Sequence, residues 1–203
     1  SGVDTTEFPY SLMPEGLPRV VFPAQMLWDK GVAEFTHAAR ILVSEGTKAE
    51  FFLAGDTDKE NPESVPTATL KKWQEEGLIT WIGWQEDMPG VFASSSIVCL
   101  PSYYREGLPK ALIEAASCGR PLVAFDAPGC REVVIHGKTG LLAKFRDLED
   151  LTACLRTLIN DPDLRQRMGK NARELVEREF SNEIIIHETL AVYRKLQGDL
   201  IPE

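Results

Sequence analysis

The sequence predicts an α/β domain built on a doubly wound, Rossmann-like parallel sheet. Short apolar runs alternate with stretches of helical periodicity from residue 19 to residue 160. Gly or Pro residues punctuate many of the boundaries between them, as expected at the ends of buried strands and helices. With 203 residues, of which 43% are hydrophobic and 26% charged, the chain is long enough to bury one good core.

The first half of the chain supplies three predicted strands and their helices. We predict a first strand at residues 19–24. Apolar residues in 30–45 then recur at helical spacing, and this stretch ends at Gly46. We predict next, in order, a strand at 50–55, a polar loop at 56–66, a helix at 66–76 ending at Gly77, and a strand at 78–83.

The second half continues this alternation and ends in helices. A short helix within 84–95 has Asp87 as its N-cap, since a carboxylate there accepts a hydrogen bond from the first turn. The elements that follow are strand 96–100, helix 109–118, strand 121–126, a glycine turn with a short strand at 136–142, and a helical region at 147–197 that restarts at Asp161-Pro162.

Composition and short motifs exclude several classes of function. The net charge of −9 argues against nucleic-acid binding, and no run approaches the length needed to span a membrane. No signal peptide opens the chain, and no G-x-G-x-x-G follows an early strand, which disfavours an NAD-dependent dehydrogenase.

The four cysteines lack a C-x-x-C pair, so we expect buried, reduced thiols in a cytoplasmic protein and no metal site: Cys99, Cys118, Cys130 and Cys154.

The stretch from Pro101 to Pro121 is the most informative part of the sequence. It leads from the carboxyl end of a strand into a helix, and Pro109 suits the first helical position. The unpaired N–H groups of that first turn, approached closely at Gly107, can bind a phosphate. Glu106 and Glu114 flank the turn, and carboxylates beside a phosphate would accept hydrogen bonds from hydroxyls. The chemistry implied is that of a nucleotide sugar.

The same residues resemble a known family. Glu106 and Glu114, with seven residues between them in the context Glu-Gly-Leu-Pro…Glu-Ala-Ala-Ser-Cys-Gly-Arg-Pro, resemble the E-x7-E motif of retaining GT-B glycosyltransferases of family 4, or group 1. Residues 1–195 fit this resemblance. It implies that Glu106 contacts hydroxyls of the transferred sugar, that Glu114 contacts the ribose, and that the backbone amides of Gly107 and Leu108, at the helix start with Pro109, contact the phosphates or the sugar.

The loop Ala24–Gly31 resembles the family segment Arg-Leu-x-x-x-Lys-Gly, whose two cations neutralise the donor diphosphate. Lys30 matches the lysine, which makes it a catalytic candidate with Glu106, whereas Gln25 stands where arginine is usual. A glutamine donates only a neutral hydrogen bond, about half as strong as a charged one. Either activity is reduced or another cation compensates, with Arg105 and Lys110 nearest in sequence.

Other predicted donor-binding residues follow neighbouring strands, since ligands bind at the carboxyl edge of such sheets. Gly55 ends the second strand, and Gly83 with Trp84 ends the third, where the family packs a loop near the nucleotide base; an aromatic residue there is otherwise a core residue. Arg131, in Pro-Gly-Cys-Arg-Glu, either approaches the phosphates or pairs with Glu132 or another surface acid.

By resemblance, 1–18 is an interdomain segment, 19–180 the nucleotide-sugar-binding domain, and 181–203 a helix that braces an N-terminal domain absent from this chain. We expect the donor half of an enzyme that transfers a sugar, from a UDP-sugar and without a metal, to a glycan or lipid-linked acceptor in bacterial surface polysaccharide synthesis. The isolated chain would be inactive, and the full-length protein would lie at the cytoplasmic face of the inner membrane. Two alternatives stay open: a catalytically silent nucleotide-sugar-binding module, and another GT-B enzyme such as a sugar-nucleotide epimerase.

Overall fold

The computed structural model describes residues 2–104 and 107–198. It contains a six-stranded sheet in the order β3-β2-β1-β4-β5-β6, and every adjacent pair is parallel. The strands are β1 (Arg19–Pro23), β2 (Glu50–Ala54), β3 (Thr80–Gly83), β4 (Ile97–Leu100), β5 (Leu122–Phe125) and β6 (Gly140–Ala143). The predicted doubly wound fold is therefore confirmed.

Eight helices lie in the described part of the chain. They are α1 (Val32–Ser44), α2 (Thr67–Glu75), α3 (Met88–Ala93), α4 (Lys110–Ser117), α5 (Cys130–Val133), α6 (Leu148–Asn160), α7 (Pro162–Glu179) and α8 (Asn182–Gly198). Three of them begin at an aspartate N-cap, whose carboxylate accepts a hydrogen bond from a backbone N–H of the first turn. These N-caps are Asp87, Asp147 and Asp161. None of the described helices is both long and apolar enough to cross a bilayer.

Three predicted boundaries are corrected by the structure. Lys30 does not start a helix but ends a 3-10 turn, because Gly31 adopts a left-handed φ of +82° before α1 begins. Strand β3 begins at Thr80 and not at residue 78. Pro109 is the N-cap of α4 and not its first helical residue, since its ψ of 109° is extended.

The N-terminal segment packs onto the sheet domain. Val3 pairs with Ser181 in a parallel bridge, and Val3 and Phe8 are buried in the single hydrophobic core. The buried guanidinium of Arg120 donates to the carbonyl of Leu12 at 3.2 Å and also to that of Ser11. Segment 1–18 was predicted to join two domains, and its first residues are thereby held firmly against this one.

All four cysteines are buried free thiols, as predicted.

The direction in which successive strands are added to the sheet reverses between β1 and β4, which are adjacent: the chain leaves β1 for β2 on one side and β4 for β5 on the other. In doubly wound sheets the loops at such a reversal separate and leave a crevice at the carboxyl edge, and this is where ligands bind.

Candidate functional site

The crevice lies between the loop after β1 and the loop after β4. The carbonyl oxygen of Asp29 accepts hydrogen bonds from the backbone N–H of Tyr103 at 3.0 Å and of Tyr104 at 3.2 Å. Gly31 packs so closely against Pro101 that a Cβ would overlap the Pro101 carbonyl oxygen. These contacts join the loop that carries Lys30 to the loop that leads into α4.

A cavity of about 280 Å³ opens at the carboxyl ends of β1, β2 and β3, and we call it the β1–β3 cavity. It brings together four of the predicted donor-binding residues, namely Gln25, Gly55, Trp84 and Glu114. The rest of its lining consists of Pro23, Ala24, Ala54, Asp56, Thr57, Gln85, Met88 and Ala111. Polar and apolar side chains thus share one concave site, as is usual for small-molecule pockets.

Backbone contacts hold the three strand ends together below this cavity. A Cβ on Gly55, whose φ is +148°, would overlap the carbonyl oxygen of Ala24. The Gly55 N–H donates to the carbonyl of Gly83 at 2.8 Å, and the Trp81 indole N–H donates to the carbonyl of Gly55 at 2.8 Å. Gly83 has a φ of +67° and therefore shapes the turn under Trp84, without itself lining the cavity.

Trp84 is 66% exposed at the mouth of this cavity. The alternative that an aromatic residue at this position belongs to the core is therefore wrong. A large aromatic surface left open beside polar groups provides a face on which a planar ring can stack. Gln25 is also exposed, so its amide is accessible from the cavity.

Glu114 lies in α4 with its side chain only 13% exposed. Burial raises the pKa of this carboxyl above its ordinary value, opposed by a hydrogen bond and the charge of Lys110 and reinforced by the charge of Glu7. The Lys110 ammonium lies 3.3 Å from Glu114 Oε1. A mostly buried carboxylate at a cavity wall is a strong acceptor for ligand hydroxyls, because little water competes for it.

No side chain caps the start of α4 in the described chain. A Cβ on Gly107 would meet nothing within 4 Å, so the approach to the helix start is open there. Leu108 is half-buried against the core and Pro109 is buried. The catalytic candidate Glu106 and the neighbouring Arg105 lie outside the described residues.

Lys30 lies on the loop after β1, which forms one wall of the crevice. Its ammonium nitrogen lies 5.2 Å from the ring centroid of Tyr104, a cation–π distance. Because the Lys30 loop is bonded to the loop after β4, this cation is held beside the segment that leads into α4. Lys110, one of the two cations considered as compensation for Gln25, is already paired with Glu114.

A second cavity of about 560 Å³, which we call the β4–β6 cavity, includes Tyr104 of the Lys30–Tyr104 pair in its lining. Arg131 forms an ion pair with Asp126 in its wall, which is a surface acid other than Glu132. The remaining lining residues are Tyr103, Tyr104, Ala127, Pro128 and Phe145. Arg131 is thus separate from the β1–β3 cavity.

Sequence reasoning did not identify Asp56, Thr57, Gln85 and Met88 in the first cavity, or Phe145 in the second. Each lies within a few residues of the carboxyl end of a strand, so their positions alone could have indicated them. No cluster of three or more metal-binding side chains occurs within residues 2–104 and 107–198.

Residues 3–175 match the protein family described as glycosyl transferases group 1. The chain is also 33% identical, over 179 residues, to the N,N'-diacetylbacillosaminyl-diphospho-undecaprenol alpha-1,3-N-acetylgalactosaminyltransferase of Campylobacter jejuni. That match covers 88% of this chain and 45% of the relative. The chain spans about half the length of the first relatives it matches.

Two solved structures share the fold. The Anabaena protein HepE in complex with UDP aligns with a TM-score of 0.81 at 20% identity, over 97% of this chain and 56% of that one. The C-terminal domain of LpcC, a glycosyl transferase group 1 family protein from Francisella tularensis, aligns with a TM-score of 0.75 at 21% identity, over 89% of this chain and all of that one. At these identities the likeness concerns the fold alone.

Proposed function

This chain belongs to the group 1 glycosyl transferases, and we propose that it is the donor-binding half of a retaining glycosyltransferase. The observation that carries this proposal is the β1–β3 cavity, which collects Gln25, Gly55, Trp84 and Glu114 from four separate segments. In the reaction, the bond between the anomeric carbon and the diphosphate oxygen breaks, the acceptor hydroxyl oxygen bonds to that carbon and releases its proton, and the nucleoside diphosphate leaves with the electron pair of the broken bond.

The nucleoside part of the donor fits the β1–β3 cavity. The exposed ring of Trp84 can stack on the base, and the buried carboxylate of Glu114 can accept hydrogen bonds from the two ribose hydroxyls. We propose uracil as the base, supported by the likeness to HepE, which was solved with UDP. Because Gly55 and Gly83 have no side chains, the backbone at these two strand ends leaves room for the nucleoside.

The diphosphate fits the start of α4. Open access at Gly107 and the uncapped first turn leave backbone N–H groups for anionic oxygens. Lys30 contributes positive charge from the facing loop and stabilises the leaving diphosphate as its charge develops. We propose that these groups take the role of a divalent metal ion, and that Glu106 contacts the transferred sugar.

We propose a glycan or lipid-linked acceptor and a role in bacterial surface polysaccharide synthesis. The Campylobacter relative, by its name, transfers N-acetylgalactosamine to a diphospho-undecaprenol-linked sugar. Because this chain spans about half of such relatives, an N-terminal domain would supply the rest of the cleft, and α8 would brace it. The whole enzyme would then act in the cytoplasm, at the inner face of the membrane that carries the acceptor.

One observation favours a second candidate, a nucleotide-sugar-binding module without turnover. Gln25 lines the cavity where the family has arginine, and Lys110 is engaged by Glu114. Two of the cations considered for the diphosphate are therefore missing or engaged, which would affect transfer more than binding, because the additional negative charge on the leaving oxygen develops only as the donor bond breaks. Transfer by a two-domain protein, and its response to Gln25→Arg, would separate the two candidates.

Calorimetric titration of this 203-residue chain with UDP, GDP and ADP tests the donor site. We expect UDP to bind most tightly, and Glu114→Gln to weaken it about tenfold, because a ribose hydroxyl would lose a charged acceptor. Glu75→Gln, at an exposed position in α2, is the matched control and should bind like the wild type. If no nucleotide binds to the folded chain or to the two-domain protein, the proposed function is wrong.

A further inference from the structure

The backbone of Lys30 is fixed within its own loop, whereas its side chain contacts a residue of the loop after β4. The Lys30 N–H donates to the carbonyl of Leu27 at 3.2 Å, in the 3-10 turn that ends at Gly31. A lysine side chain loses much rotamer freedom when a ligand fixes its ammonium. A contact that restricts the side chain beforehand therefore lowers the entropic cost of binding.

Tyr104 makes such a contact. The Lys30 ammonium nitrogen lies 5.2 Å from the centroid of the Tyr104 ring, within the range of cation–π attraction. The backbone of Tyr104 is itself tied to the Lys30 loop, because its N–H donates to the carbonyl of Asp29 at 3.2 Å. The ring and the ammonium thus come from two loops that are already hydrogen-bonded to each other.

The exposure of Tyr104 suits this role. The residue is 55% exposed, so packing in the core does not by itself explain an aromatic side chain at this position. An aromatic face attracts an ammonium and leaves its charge intact, whereas a carboxylate opposes that charge, as Glu114 does for Lys110. A cation held in this way still acts on an anionic ligand.

The preceding residue offers a comparison within the same loop. The Tyr103 N–H donates to the same carbonyl of Asp29, at 3.0 Å. Its ring, however, contacts Arg146 of the loop after β6, whose central guanidinium carbon lies 4.1 Å from the centroid. The two neighbouring rings contact different cations, so their effects on Lys30 can be told apart.

We propose that Tyr104 is a positioning residue for Lys30, and that its ring holds the ammonium where it meets the diphosphate of the donor. Tyr104 acts through Lys30 and does not touch the reacting atoms. This inference rests on the proposed function, which places the diphosphate between the loop of Lys30 and the start of α4.

Calorimetric titration with UDP tests this role. Tyr104→Leu should weaken UDP binding about threefold, as expected for the loss of an exposed cation–π contact. Tyr104→Phe should restore most of the affinity, because phenylalanine presents the same aromatic face. Tyr103→Leu alters the same loop without removing the ring beside Lys30, and should bind UDP like the wild type. Uridine lacks the diphosphate, so the wild type and Tyr104→Leu should bind it equally.

A double-mutant cycle separates positioning from a merely structural effect. Lys30→Met should weaken UDP binding more than Tyr104→Leu does, and Tyr104→Leu should cause no further loss in the Lys30→Met background, since no ammonium remains to be positioned. The same threefold loss in both backgrounds would show that the ring only supports the loop, and would overturn the proposal. Equal losses in Tyr104→Leu and Tyr103→Leu would overturn it as well.

Nuclear magnetic resonance of the unliganded chain provides a readout that is independent of nucleotide binding. The ring current of Tyr104 should shift the ε-methylene protons of Lys30 upfield in the wild type and in Tyr104→Phe, but not in Tyr104→Leu. If UDP binds and Glu114→Gln weakens it, while Tyr104→Leu binds UDP like the wild type, the inference is wrong and the proposed function stands. If UDP binds neither to the folded chain nor to the two-domain protein, the proposed function is wrong and the inference falls with it.

Discussion

Gly31 and Pro101 are in backbone contact across the crevice, so close that a Cβ on Gly31 would overlap the Pro101 carbonyl oxygen. They lie seventy positions apart in the sequence, yet this contact sets the distance between the loop of Lys30 and the loop that enters α4. Gly31 also has a φ of +82°. Two separate physical reasons therefore require glycine here.

Gly31→Ala should destabilise the chain and weaken its binding of UDP. Gly46→Ala is the matched control, because Gly46 has a φ of +80° but nothing lies within 4 Å of an added Cβ. The control should lose about 1 kcal/mol from backbone strain alone, and Gly31→Ala at least about 2 kcal/mol more from the overlap. Urea denaturation of both variants measures the difference, and equal losses would show that the crevice relaxes freely.

Glu114→Gln should change how stability depends on pH. Burial raises the folded-state pKa of Glu114, so the folded chain binds more protons than the unfolded chain between the two pKa values. Stability is therefore lost as the pH rises through the folded-state pKa. The variant lacks this loss and should gain stability relative to the wild type between about pH 4 and about pH 7.

Thermal denaturation of the wild type and the variant at both pH values measures this effect, with Glu75→Gln in parallel. A variant that is more stable yet binds UDP less well would indicate that the buried carboxylate serves the ligand at some expense of stability. If Glu114→Gln instead loses stability as the pH rises, the ion pair with Lys110 outweighs burial.

Gln25→Arg should strengthen UDP binding about fivefold, since a charge-assisted hydrogen bond replaces a neutral one at the cavity wall. The gain should shrink at high salt, as expected for an exposed charge. Calorimetry at two salt concentrations measures both effects. Gln166→Arg, which adds the same charge at an exposed position on α7, controls for net charge. Equal affinity in the wild type and Gln25→Arg would show that the missing arginine is unimportant for binding.

Arg120→Lys should be strongly destabilising. The Arg120 side chain is fully buried and donates to the carbonyls of Ser95 at 3.0 Å and Cys118 at 3.0 Å, and to those of Ser11 and Leu12 in the N-terminal segment. Lysine cannot reproduce this fork, so buried carbonyls lose their donors at a cost on the order of 3 kcal/mol or more.

Arg156→Lys is the matched control, because Arg156 pairs with Glu45 in an exposed bidentate ion pair and should lose less than about 1 kcal/mol. Limited proteolysis within residues 8–13, together with urea denaturation, measures the loss of Arg120. A wild-type cleavage rate in Arg120→Lys would mean that the other contacts of the segment hold it without Arg120, among them the burial of Val3 and Phe8 and the hydrogen bond from Ser11 N–H to the Cys118 carbonyl.

The order of strands and helices followed from local patterns. The buried runs Val20-Val21-Phe22 and Leu122-Val123-Ala124 are apolar throughout because helices cover both faces of the sheet, and this composition is visible without coordinates. The aspartate at the start of a helix is equally local, since Asp87 accepts from Gly90 three residues away. The resemblance carried by 101–121 then indicated the family, which the match over residues 3–175 confirmed.

Only the tertiary structure decided which of these residues meet. Trp84 is exposed and not in the core because the turn at Gly83 places it at the cavity mouth, and no pattern within a few residues specifies that. Arg131 and Asp126 line the β4–β6 cavity, whereas Glu114 lines the β1–β3 cavity, because β4 lies between β5 and β1 in the sheet. Periodicity and capping act over a few residues, whereas strand order is set by packing between segments far apart in the chain. The sequence by itself therefore determined the elements and the family, and the fold determined the two cavities.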